Sequence, residues 1–135
     1  MNGVYISPFG CGSQFDRYNQ AAELTDLEKK AVEYIKSAFC DADLNFEELR
    51  FIRTSDNYLT ILAPNDTDFC RLKASNRSSW FSVAGVYLPE SLKIDPRFDG
   101  IKKTLLHWKI KLNGVDDLKN NSDIIVETYI GIKKE

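Results

Sequence analysis

The sequence predicts an α+β fold: an antiparallel sheet of about five strands with two helices packed on one face. Three features of the chain predict it. An amphipathic segment with helical period spans residues 25–40, short β-rich runs separated by turn residues follow from residue 49, and helical spacing returns after residue 113. Strands that follow one another through short turns favour antiparallel pairing over a parallel sheet of alternating strands and helices.

The composition is that of an ordinary globular domain. The chain has 135 residues, of which 43% are hydrophobic and 28% charged, so we expect one domain over residues 1–135. No run approaches the roughly 20 apolar residues of a membrane span, and the first residues lack the basic and apolar segments of a secretory signal. Cys11, Cys40 and Cys70 are odd in number and widely spaced, which predicts free thiols and a cytoplasmic location.

The chain begins with two alternatives. Residues 1–20 contain a short strand at Val4–Ser7 and a loop through Gly10–Gly12, or they form a mobile N-terminal arm. The first helix follows at residues 25–40, where Thr25 and Glu28 match a capping box. Its predicted core stripe consists of Leu24, Leu27, Ala31, Ile35, Ala38 and Phe39. Glu28, Lys29 and Lys36 are assigned to the opposite, exposed side.

Four β-rich runs come next and predict a meander of hairpins. They are Leu49–Thr54, Tyr58–Ala63, Asp68–Ala74 and Ser79–Val83. The gaps between them are short and rich in Asn, Asp, Ser and Pro, the residues that tight turns prefer. Residues 84–104 are predicted to be mostly loop because Pro89, Pro96 and Gly100 interrupt any regular pattern.

The last strand is predicted at Leu106–Leu112 from its strict alternation. Its apolar side consists of Leu106, Trp108, Ile110 and Leu112, and its polar side of His107, Lys109 and Lys111, with His107 expected to be an exposed sheet residue. Asn113 is then predicted to cap a terminal helix. The apolar face of that helix would consist of Val115, Leu118, Ile125, Tyr129 and Ile132.

The net charge of −2 conceals a marked asymmetry along the chain. Residues 1–48 carry four Lys or Arg against nine Asp or Glu, which gives −5. Residues 49–112 carry eleven against six, which gives +5, and residues 113–135 carry three against five, which gives −2. The predicted sheet is therefore the basic part of an acidic chain.

This asymmetry motivates a binding hypothesis. We expect a non-catalytic binding module or accessory protein whose basic sheet face contacts nucleic acid or an acidic protein surface. The predicted binding residues are Arg71, Lys73, Arg77, Trp80, Lys109 and Lys111. An ordinary solvated surface is the alternative, since exposed strands often carry Lys and Arg, and both tryptophans are more typical of a core.

A second hypothesis is a hydrolase or nuclease-like enzyme assembled from scattered residues. His107 is the only histidine, and Cys11 or Asp68 could act with it only if the fold brought them together. Asp66 and Asp68 could begin a hydrolytic metal site, but no third ligand follows at a recognisable spacing. Phosphate-binding glycine motifs are absent, so we expect no cofactor, no metal and no catalytic residue.

One stretch resembles a known arrangement. Asp56-Asn57-Tyr58, then Asp68-Phe69-Cys70-Arg71-Leu72-Lys73, then Arg77-Ser78-Ser79-Trp80 resemble an uncharacterised small bacterial module with the pattern DNY…DFxRxK…RxxW. The resemblance covers about residues 55–82. Such modules occur as tails on other bacterial proteins, nuclease-like ones among them, and the resemblance implies that Arg71, Lys73, Arg77 and Trp80 form one local unit. A further alternative for the function is a phage-encoded protein that binds and inhibits a host defence protein, since such proteins are of similar size and also lack motifs.

Overall fold

The structure is a computed structural model that describes the backbone of residues 4–6 and residues 24–55 and 58–134. Its sheet contains six strands in sequential order, each antiparallel to the next. The strands are β1 Val4–Ile6, β2 Arg50–Ser55, β3 Tyr58–Ala63, β4 Thr67–Lys73, β5 Ser79–Ala84 and β6 His107–Leu112. The α-helices are α1 Asp26–Asp41, α2 Glu90–Lys93 and α3 Ser122–Lys133. The predicted α+β class and antiparallel meander are confirmed.

Helix α1 begins at the predicted capping box. The Thr25 hydroxyl accepts from the Glu28 backbone N–H at 3.1 Å, and Glu28 Oε1 accepts from the Thr25 backbone N–H at 2.8 Å. The prediction that the Glu28 side chain is exposed is wrong. The Glu28 carboxylate is buried and pairs with Arg53 on β2, so one residue caps the helix and joins it to the sheet.

Helices α1 and α3 share one face of the sheet. That face is defined by cross-strand rows such as Phe51–Ile61–Cys70–Val83–Trp108, all of them buried. The predicted stripe of α1 contributes Ala31, Ile35 and Phe39 to this core. From α3, the Tyr129 ring packs on Phe39 and Phe69 at centroid distances of 5.0 and 5.5 Å.

The end of the chain differs from its prediction in two places. Leu106 precedes β6 and is exposed, although its backbone carbonyl still accepts a hydrogen bond from the Gly85 N–H. Its side chain lines a surface groove beyond the ends of β5 and β6 instead of the core. Asn113 does not cap a helix. A 3₁₀ helix, Val115–Asn120, follows the turn at Gly114, whose φ of 144° requires glycine, and α3 begins only at Ser122.

The connection between β5 and β6 has more structure than predicted. A 3₁₀ helix at Gly85–Tyr87, the single turn of α2 and a second 3₁₀ helix at Pro96–Phe98 fold it against the sheet end. Asp95 fixes the last of these, since its carboxylate accepts from the Arg97 backbone N–H at 2.8 Å. None of the helices in the described ranges is long and apolar enough to span a bilayer.

Candidate functional site

The sheet surface opposite α1 and α3, here called the open face, carries most of the predicted binding residues. Strand register places them in two neighbouring rows across β4, β5 and β6. These rows are Arg71–Ser82–Lys109 and Lys73–Trp80–Lys111. Lys109 and Lys111 are exposed, whereas Lys73 and Trp80 are half-buried. Four basic side chains and the Trp80 indole therefore share one surface of the sheet.

Trp80 lies at the centre of an aromatic and cationic cluster. Its ring stacks at an angle on Tyr58 of β3, with centroids 5.6 Å apart and planes at 45°. The Lys109 ammonium lies over the same indole, 4.4 Å from its centroid. Trp80 is therefore half-buried at the surface, whereas Trp108 is buried in the core. The sequence had favoured a core position for both tryptophans.

A polar network occupies the row next to this cluster. Asp68 Oδ2 accepts from Arg71 at 3.3 Å from Nε and 2.8 Å from an Nη, which ties two residues of β4 together. His107 Nε2 on β6 lies 3.3 Å from Asp68 Oδ1. On the other side of the ring, His107 Nδ1 is 3.1 Å from the Ser82 hydroxyl oxygen on β5. The network thus bridges three adjacent strands.

Opposing effects act on the Asp68 carboxyl. Burial raises its pKa, while the contacts with His107 and Arg71 lower it and prevail, so the pKa lies below its ordinary value. Asp68 Oδ1 is buried and has no aligned hydrogen-bond donor among the described residues. The His107 Nε2–Asp68 Oδ1 contact is an ion pair only when the ring is protonated.

The order Ser82–His107–Asp68 matches the residue types of a nucleophilic triad, but the surroundings do not suit catalysis. Ser82 is only 3% exposed and sits in the middle of β5 between two hydrogen-bonded strands. A substrate carbonyl could not approach its hydroxyl oxygen within bonding distance unless the side chains that bury Ser82 on the open face moved aside. We interpret the network as a polar clamp that fixes Arg71 and the β4–β6 side of the open face.

The remaining side of the open face is closed to a ligand. Ile52, Thr60 and Leu62 lie on it and are all buried. Arg50 at its far edge pairs with Asp66 in the β3–β4 turn. The accessible part of the open face is therefore its β4–β6 side, where Lys73, Lys109 and Lys111 have no ion-pair partner among the described residues.

The predicted residues divide clearly by position. Arg71, Lys73, Trp80, Lys109 and Lys111 share the open face, whereas Arg77 is exposed in the β4–β5 turn beyond its end. Tyr58 was not assigned to the site. A register shift between Ile61 and Leu62 places it beside Lys73, whereas counting the β3–β4 pairs outward from the turn would have placed it beside Leu72. His107 lies in the polar clamp with 14% of its side chain exposed, so its expected exposure on the sheet is wrong.

Two further predictions concern catalytic and metal chemistry. Cys11 and the Gly10–Gly12 loop lie outside the described residues. The possible pairing of Cys11 with His107 therefore stays a prediction. Across the described ranges, no group of three or more His, Cys, Asp or Glu side chains is arranged to hold a metal ion. Asp66 pairs with Arg50, and Asp68 pairs with Arg71 and His107.

Comparison with known proteins gives no relative for this chain. No protein-family model, no curated protein and no solved structure matches it. The resemblance of residues 55–82 to a bacterial module therefore stays a prediction. Any function has to be argued from the open face and its neighbouring surfaces.

Proposed function

We propose that the protein is a binding module that takes single-stranded nucleic acid on the β4–β6 side of the open face. The observation that carries the proposal is the Trp80–Tyr58 pair, half-buried on an antiparallel sheet and bordered by Lys73, Lys109 and Lys111. Aromatic rings on a sheet stack with unpaired bases, and lysines beside them neutralise the phosphates between those bases.

The geometry favours a single strand over a duplex. Duplex DNA is read by an element that enters a groove, whereas this surface is a sheet face whose aromatic side chains lie among its lysines. An acidic protein surface would use the lysines but would have no need of the stacked rings. The chain's overall charge of −2 gives no general attraction to a polyanion, so the affinity must come from this local cluster.

Two free thiols among the described cysteines agree with action in the reducing cytoplasm, which we include in the proposal.

The test is fluorescence anisotropy with labelled single-stranded RNA and DNA, a duplex and an acidic peptide, each at two salt concentrations. The variant Lys109→Gln/Lys111→Gln should weaken single-strand binding and reduce the steepness of its log–log salt dependence by about 1.4, or 0.7 per phosphate contact. Trp80→Leu should weaken binding by about 1–3 kcal/mol with little change in that slope, because stacking is lost rather than a charge contact.

A matched control is available on the helical side. Lys29 and Lys119 are exposed there and remote from the open face, so Lys29→Gln/Lys119→Gln changes the net charge equally. The control should bind as the wild type does. Equal losses in the two double variants, or no salt-sensitive binding at micromolar protein, would contradict the proposal. Tighter binding to the acidic peptide than to either single strand would assign the face to an acidic protein partner instead.

A further inference from the structure

The large apolar side chains that the described residues expose are gathered at one place. Val86, Ile94, Leu105 and Leu106 are exposed by 69%, 83%, 56% and 83%, and all four line one groove of about 580 Å³. Single exposed apolar residues are ordinary on a protein surface, but a contiguous set around a concavity marks an interaction site. The groove lies where β5 ends and β6 begins, beyond the Ala84–His107 pair.

The floor of the groove is held rigidly. Trp108 forms it, and the indole Nε1–H donates to the Leu105 carbonyl at 2.9 Å, which fixes the loop that carries Leu105 and Leu106. A Cβ placed on Gly85 would lie 2.2 Å from the Trp108 ring, so only glycine permits this close approach. The Phe98 ring supports the indole edge-on from behind at a centroid distance of 5.3 Å. Such a preformed floor lowers the entropy cost of binding.

The rim of the groove is basic. Lys103 Nζ lies over the Trp108 ring, 4.3 Å from its centroid, and donates to the Lys93 carbonyl at 2.6 Å. Lys102 is exposed beside it. Neither Lys102 nor Lys103 forms an ion pair among the residues that the structure describes, although the charge of Lys103 helps to lower the pKa of Asp95. Lys93 pairs with the exposed Glu90. An occupant that carries negative charge next to an apolar anchor would complement both features.

We propose that this groove docks a short acidic segment of a partner protein, which inserts one or two large apolar side chains among the exposed Val86, Ile94, Leu105 and Leu106. A small molecule in the groove would leave the outward tips of Ile94 and Leu106 in water, whereas a peptide would cover them. A bilayer would take up the tips but would leave the concave floor unfilled. The groove is separate from the Trp80 cluster, which lies toward the other end of the β5–β6 ladder, so the protein can hold both ligands at once.

The probes are three labelled twelve-residue peptides. One carries two Phe anchors among Asp and Glu, the second has Lys in place of the acidic residues, and the third has Ser in place of the anchors. Anisotropy should show the first binding at least about tenfold more tightly than the others. In a Trp80→Phe background Trp108 is the only tryptophan, and its emission should shift when the first peptide binds.

Two groove variants and one control locate the binding. Leu106→Glu and Val86→Glu should each lower the affinity for the acidic peptide at least about tenfold, because they place a like charge at the anchor site. Both side chains are exposed, so the fold should persist, and melting temperatures check this. Ser37→Glu adds the same charge on the exposed side of α1 and should bind as the wild type does. Lys102→Glu should weaken binding of the acidic peptide and strengthen binding of the lysine peptide.

Four results would overturn the proposal. The first is the absence of any anisotropy change with the acidic peptide, and the second is equal binding by the wild type and Leu106→Glu. A dimer in analytical ultracentrifugation that Leu106→Glu abolishes would make a second copy of the chain the occupant. Sedimentation with phosphatidylcholine–phosphatidylserine vesicles that the same variant abolishes would make it a membrane surface. Binding of oligonucleotides to the open face should be unchanged in Leu106→Glu, which separates this proposal from the function proposed above.

Discussion

Arg53 and Glu28 form a two-pronged ion pair between the sheet and the first helix. One Arg53 Nη donates to Glu28 Oε1 at 2.6 Å and the other to Oε2 at 3.1 Å. The same Oε1 accepts the Thr25 backbone N–H that closes the capping box. Because Glu28 is buried and only 18% of the Arg53 side chain is exposed, the pair lies largely out of water.

Glu28→Gln should therefore destabilise the protein by about 3 kcal/mol, near the lower end for breaking a buried pair, since it removes the carboxylate charge that faces Arg53. The amide oxygen can still cap the helix, so the loss reports the ion pair rather than the cap. Urea denaturation measures the change. Glu33→Gln, on the exposed side of the same helix, should cost less than about 0.5 kcal/mol. Equal free energies of unfolding for the two variants would show that the pair contributes little.

The same residue illustrates how far the sequence predicts this fold. The capping box and apolar spacing located α1 correctly, and strand ends differed from prediction by at most one or two residues because turn residues separate the runs. Periodicity assigned Glu28 to the exposed side, since a local pattern contains no information about a partner 25 residues away on β2. Leu106 was assigned to the core for a related reason, because alternation along β6 does not show that the core ends before this residue.

The candidate site was predictable in part. Alternation placed Arg71 and Lys73 on one side of β4 and Lys109 and Lys111 on one side of β6. It could not show that both pairs lie on the sheet face that carries Trp80 of β5. The polar clamp needed the three-dimensional fold, since Asp68, Ser82 and His107 come from different strands. The apolar groove was not predicted, because three of its exposed residues lie in a segment without regular period and the fourth, Leu106, was assigned to the core side of β6.

Gly131→Ala should destabilise the protein although alanine is the better helix former. In an isolated helix this change gains about 1 kcal/mol. Here the added Cβ would lie 1.9 Å from the Tyr87 carbonyl oxygen, a backbone atom that cannot move aside without shifting the 3₁₀ helix at Gly85–Tyr87. We expect a net loss of about 1–3 kcal/mol, the usual cost of overpacking, measured as a lower melting temperature. A melting temperature above that of the wild type would disprove this close contact.

The described cysteines should differ sharply in reactivity. Cys40 and Cys70 are both free, but Cys40 is exposed on α1 and Cys70 is fully buried in β4. Burial, and then the charge of Asp68, raise the pKa of the Cys70 thiol well above its ordinary value, so the reactive thiolate is scarce as well as inaccessible. In native protein, iodoacetamide followed by mass spectrometry should label Cys40 first and Cys70 only after urea is added. Similar labelling rates, or a bridge between the two, would contradict the structure.

Asp95 should make part of the stability dependent on acid pH. The Arg97 side chain and then its backbone N–H hold the pKa of Asp95 at about 2, below its ordinary value of 3.8. A carboxyl whose pKa is lower in the folded state stabilises that state fully above the unfolded value, and the contribution is lost as pH falls from 3.8 toward about 2. Asp95→Asn should thus be less stable than the wild type at neutral pH and should lose less stability in that acid range.

The measurement is urea denaturation of both proteins at about pH 7, 5 and 3, because the difference between them removes the titration of the other carboxyls. The asparagine oxygen can still accept the Arg97 backbone N–H, so the 3₁₀ helix at Pro96–Phe98 should persist. Asp99→Asn is the matched control, since Asp99 is exposed on the same segment and has no ion pair among the described residues. A wild-type advantage over Asp95→Asn that is as large at pH 3 as at pH 7 would show that the Arg97 contact does not titrate in this range.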